Sequence, residues 1–175
     1  MTHITLYACI SAMEEAITER GSDYCYPGAS AVRVNRNNPI CHYRWSEQDV
    51  ENGFTKPEDV GTPACAVGAI LARLGVLCHL VQPALVRGTY TDNAVSIDDL
   101  VARHPLRISA EPAALRYLNM LQTYQDIGTS WGKSHDIACH VVGVRRLRVQ
   151  RPRVPEFIPV MEDPKPVPVK ELVSV

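Results

Sequence analysis

Neither sign of charge dominates this chain: 18 Lys and Arg stand against 19 Asp and Glu, for a formal charge of -1. Without a global field, attraction to nucleic acid or to an anionic membrane has to come from a local patch. Signals for export and spanning are also missing. Met1-Thr2-His3-Ile4-Thr5 has neither the basic start nor the continuous apolar run of a secretory signal, which predicts an intracellular protein with reduced thiols. Ala64 to Val86 comes nearest to a membrane span, but Arg73 lies near its middle and Gly75, His79, Gln82 and Pro83 interrupt it. A central arginine costs about 3 kcal/mol on insertion scales, so two buried helices are expected there and no membrane partner.

Metal-binding spacing is absent too. Six cysteines (Cys9, Cys25, Cys41, Cys65, Cys78, Cys139) occur without a Cys-x-x-Cys or Cys-x-x-His pair. Cys41-His42, Cys78-His79 and Cys139-His140 are adjacent pairs whose side chains point in different directions, so a zinc site would need distant segments. No metal and no cofactor is expected. A framework of three disulfides suits a small secreted chain, whereas 175 residues bury a sizeable core without cross-links.

What is present reads mainly as helix. Leu6, Ile10, Met13 and Ile17 recur at helical spacing with Tyr7 alongside, and Gly21 closes this first helix. Tyr24-Cys25-Tyr26, Ala31 to Val34 and Ile40 to Trp45, with an Asn-rich turn between the last two, predict a small hairpin. Residues 46 to 61 read as a polar surface loop. Thr62 then suits an N-cap, Pro63 the first helical position, Cys65 the first turn and Gly75 the left-handed position past the end. Periodicity does not separate helix from strand over Val76 to Leu85.

Ser96 caps a short helix ending near His104. A longer one follows, with Ser109 as cap, Glu111 and Pro112 in its first turn, and Leu115, Leu118, Leu121 and Tyr124 with Met120 as its core stripe up to Gly128. A last helix from Thr129 or Ser130 places Trp131, Ala138, Val141 and Val142 on one face. Past Gly143 comes a partly alternating, strand-like run, and then Pro152, Pro155, Pro159, Pro164, Pro166 and Pro168 exclude regular helix. The expected fold is α+β and predominantly helical: a small β-hairpin packed on a compact helical domain over residues 1–150, with an extended Pro-rich C-terminal arm over 151–175. Phe157, Ile158, Val160, Met161 and Leu172 are interleaved with the prolines, and so much apolar surface on an extended arm argues that it docks on a protein partner or a second copy.

Tyr24 with Tyr26, Cys41 near Tyr43, Pro63-Ala64-Cys65-Ala66-Val67-Gly68, Leu74-Gly75-Val76, Leu121-Gln122, Gln125-Asp126-Ile127-Gly128 and Trp131-Gly132 with Ala138 together carry a resemblance. Over roughly residues 4 to 142 the chain resembles a family of small, functionally uncharacterised actinobacterial and actinophage proteins with a Pro-x-Cys-x-Val-Gly helix and a Gln-Asp-x-Gly-x-x-Trp-Gly turn. The resemblance implies a similar small domain in a phage or mobile-element setting, hence a cytoplasmic place in a bacterial host cell or association with the virion. It implies no reaction.

Three chemistries remain to be weighed. Cys65 near a helix start could be an activated thiolate with His42 or His135 as base and Asp126 orienting that base, or simply a small packed residue. Asp126 meets the negative end of its helix and needs a partner; the adjoining turn, through backbone N–H groups of Gly128 or Thr129, is the plain one. Gln122, Gln125 and Trp131 join Asp126 either as a polar pocket or as a fixed helical corner. Arg145, Arg146, Arg148, Arg151 and Arg153 form the one dense basic run, suited to phosphate, though no aromatic residue is interleaved with it. The leading expectation is a phage-type accessory protein that acts by binding, with the arm as its docking element. A thiol-dependent enzyme centred on Cys65 and nucleic-acid binding through the arginine run are the rivals.

Overall fold

In the computed structural model of the protein, the described residues are 1–27, 42–77 and 95–144. The chain opens with strand β1 (Thr2–Ile4) and helix α1 (Leu6–Arg20), whose first turn is capped by the Thr5 hydroxyl accepting from Ala8 N at 3.2 Å. Cys9, Ala12, Met13, Ala16 and Ile17 form its buried face, while Tyr7 is 82 % exposed. Of the expected stripe, Met13 and Ile17 are buried and Leu6 and Ile10 pack partly buried against the core, with the small Cys9, Ala12 and Ala16 beside them.

Residues 46 to 61 are not a plain loop. Ser46 and Asp49 form a reciprocal capping box that starts helix α2 (Glu47–Glu51), and a 3₁₀ turn covers Pro57–Asp59. Helix α3 (Ala66–Arg73) follows, then α4 (Ile97–Arg103) capped by Ser96, strand β2 (Ile108–Ala110), α5 (Pro112–Asp126) and α6 (Trp131–Val141). Arg73, the charge inside the most apolar stretch, ion-pairs with Glu19 and lies 3.7 Å from Glu15 on α1. None of the described helices is long and apolar enough to cross a membrane.

The described residues are mostly helical, with one small sheet in which β1 and β2 run parallel and Thr2 faces Ile108. This replaces one expectation and leaves another largely outside the described residues. Ser109 lies in β2 instead of capping the long helix, whose N-cap is Glu111. The described ends of the expected hairpin hold no strand, only an isolated antiparallel bridge between Arg44 and Pro63; its centre, residues 28–41, lies outside the described residues. So do most of Val76 to Leu85, the arginine run from Arg145 to Arg153 and the whole arm with Phe157, Ile158, Val160, Met161 and Leu172.

Helix α5 is the hub of one apolar core, packed against α1, α3, α4 and α6. Leu118 and Leu121 are buried as expected, joined by Ala114, Tyr117, Gln122 and Gln125, whereas Leu115 and Met120 are only partly buried. On α6, Trp131 and Ala138 face the core with Ser134, His135 and Cys139, and Val141 is 41 % exposed.

Candidate functional site

Helix α3 begins three residues later than Thr62 and Pro63 suggest. Antiparallel hydrogen bonds hold residues 61–64 extended beside 43–45: Trp45 N to Thr62 O, Ala64 N to Tyr43 O and Gly61 N to Trp45 O. The Thr62 hydroxyl instead donates to Asp59 O at 2.7 Å. Cys65 becomes the N-cap, its Sγ accepting from Gly68 N at 3.3 Å, and Gln125 Oε1 on α5 accepts from Ala66 N at 2.6 Å. Two of the orphan N–H groups of a helix start are satisfied in this way, one across a tertiary contact. A Cβ on Gly68 would lie 2.0 Å from Tyr43 O, so only glycine admits that strand-like segment.

Cys65 is also disulfide-bonded, with its partner outside the described residues. This corrects the expectation of a reduced thiol, and a sulfur held in a disulfide is no nucleophile. Cys9, Cys25 and Cys139 are thiols outside any disulfide; burial, with the Glu111 charge adding to it, pushes the Cys9 thiol up to about 12.

The other candidates have separate surroundings. His42 Nδ1 lies 2.9 Å from the buried Asp49 Oδ2. Burial pushes the Asp49 carboxyl up, but hydrogen bonds from His42 and Ser46 and the His42 charge outweigh it, leaving it below the usual carboxylate range. His135, fully buried on α6, meets the Tyr117 hydroxyl at 2.5 Å through Nδ1, with Cys139 Sγ at 3.7 Å and Glu14 Oε1 3.9 Å from Nε2. The two histidines proposed as base thus each meet a partner other than Cys65 or Asp126: Asp49 for His42 and Tyr117 for His135.

Gln122, Gln125 and Asp126 share the last two turns of α5, and the two glutamines act as joints. Gln122 Nε2 reaches Val95 O at 3.4 Å and its side chain bonds to Tyr43, whose hydroxyl donates to the same carbonyl at 2.8 Å. Gly128 N and Thr129 N, the partners expected for Asp126, instead close the turn onto Gln125 O and Tyr124 O. Asp126 Oδ1 is buried without a hydrogen-bond partner among the described residues, and burial raises its carboxyl from 3.8 to about 7. Its charge, behind larger contributions from burial, helps to raise the Tyr43 and Tyr26 hydroxyls.

Trp131 is fully buried, set edge-on to Tyr24 at 4.8 Å, and its backbone N donates to Tyr24 O at 2.9 Å. A Cβ on Gly132 would lie 2.9 Å from Ser22 Cβ and O, so Trp131-Gly132 seats the turn after α1. The Arg20 guanidinium lies over both rings, at 5.3 Å from Tyr24 and 5.4 Å from Trp131, and donates to the Tyr24 hydroxyl and Pro63 O. Beside it opens a surface cleft of about 510 Å³ walled by Arg20, Tyr24, Trp45, Phe54, Lys56 and Asp59. A second cleft, holding Asp23, shares Arg20 and Tyr24.

Sequence reasoning missed Asp49 and Tyr117 and, though Tyr43 is among the motif residues, missed its role. Asp49 was marked by the Ser46-x-x-Asp49 spacing; Tyr117 and Tyr43 carry no local signal. Among the described residues no cluster of His, Cys, Asp and Glu could hold a metal ion. Comparison with protein families, curated proteins and solved structures finds no match to this chain.

Proposed function

We propose that the protein acts by binding another protein, with its helical core as scaffold and residues 151–175 as the docking arm, in the phage or mobile-element setting that the family resemblance implies. The observation that carries this reading is compositional: Phe157, Ile158, Val160 and Met161 lie among prolines that bar regular helix, with Leu172 just past the last of them, so their apolar surface calls for a partner. A protein of the host cell or virion, or a second copy of the chain, is the partner proposed. The thiol-enzyme reading loses support because Cys65 is in a disulfide.

The test is a full-length chain carrying Phe157→Ser, Ile158→Ser and Leu172→Ser. Affinity capture and light scattering should show loss of a bound partner or a fall in oligomeric mass relative to the unaltered chain. Unchanged results in both measurements would sink the reading.

A further inference from the structure

We propose that the cleft between Tyr24, Trp45 and Phe54 is a docking groove for an extended proline-bearing peptide, and that its occupant is this chain's own Arg151-Pro152-Arg153-Val154-Pro155. The segment ties the base of the arm to the helical core. It does not depend on the partner reading, which concerns the apolar residues from Phe157 onward.

The groove has the chemistry that polyproline segments use. Such segments are already extended, lose little conformational freedom on binding and dock against aromatic walls. Trp45 is 3 % exposed and stacked on Tyr26 at 5.3 Å, which makes a rigid floor; Tyr24 and Phe54 are half-buried walls. Tyr24 is fixed in turn by Arg20 and Trp131. Pro152 and Pro155 are three residues apart, a spacing that a polyproline helix would place on one face.

Charge and reach agree with this occupant. Asp59 in the groove and Asp23 in the adjoining cleft suit Arg151 and Arg153, and Lys56 suits Glu156. Arg20 is already engaged by two rings and two oxygens, so it serves as wall. Helix α6 starts at the groove, where Trp131 N meets Tyr24 O, and its 11 residues carry the chain about 16 Å away. From Val144 to Pro152 an extended chain spans up to about 27 Å, enough to return within the same molecule.

The test uses the full chain with p-benzoylphenylalanine substituted for Val154, prepared in light and heavy isotopic forms, mixed and irradiated. Mass spectrometry should place cross-links at Tyr24, Phe54 or Lys56 within single-isotope molecules. Adding Pro152→Ala and Pro155→Ala should lower their yield about tenfold. Cross-links on another surface, cross-links between light and heavy copies, no cross-link at all, or a yield indifferent to the two prolines would each overturn the proposal.

Discussion

Burial of Asp126, with Oδ1 lacking a hydrogen bond among the described residues, holds its carboxyl at about 7 against 3.8 for the ordinary group. Between those values the folded chain keeps a proton that the unfolded chain has released. Stability therefore falls as pH rises through that window and levels off above it. Asp126→Asn should flatten the pH dependence of the urea midpoint between about 4 and 7 and leave the variant more stable than the parent at about pH 8; a slope that persists in the variant contradicts the assignment. Asp49 works the other way: its lowered carboxyl contributes stability above the unfolded value that is lost only as pH falls through the folded one. His42→Ala should therefore erode stability most on the neutral side of that acid limb. Asp126 shows what a single residue's neighbours decide: its place at the end of α5 was legible, but Gly128 and Thr129 bond to the backbone of α5 and leave Oδ1 without a hydrogen bond among the described residues.

At the level of elements, α3 has only 8 residues, too few for a helix to persist alone, and it stands on contacts to the segment at Tyr43 and to α5. Gly68→Ala should cost more than about 3 kcal/mol, because the atom 2.0 Å away is a backbone carbonyl in a hydrogen-bonded segment and has nowhere to retreat. Gln125→Leu should cost about 1–3 kcal/mol by stranding Ala66 N. Urea titration of both variants checks the order, and a Gly68→Ala chain as stable as the parent would refute the close approach. Helix ends were readable where local chemistry decides them, as at Ser96, and at Gly75, whose φ of +68° favours glycine. Thr62 obeyed the same rules and failed, because pairing with residues 43–45 keeps the chain extended past Pro63. The motif residues were visible but their roles were not: Gln125 meets Ala66 across 59 positions, a relation no local pattern records. Pro-x-Cys-x-Val-Gly and Gln-Asp-x-Gly-x-x-Trp-Gly turn out to be the two halves of a packing joint.

For the whole molecule, the disulfide at Cys65 makes redox state part of the fold. One bridge among six cysteines leaves four thiols, so the unfolded, unreduced chain should titrate four with Ellman's reagent, and six would show that the bridge does not form. The compartment bears on that outcome, since reducing cytosol disfavours such bridges. The parallel sheet has a consequence of a different kind. His3 and Ser109 sit side by side across 106 positions, and Glu111, the residue just past β2, accepts the first amide of α1 through its carboxylate at 2.8 Å. A ribosome makes the two halves of that clasp far apart in time. Strand β1 and the N-terminal end of α1 consequently wait, with their final partners unmade, until residues 108–111 have emerged, so this clasp closes only after the helices between its halves have been synthesised.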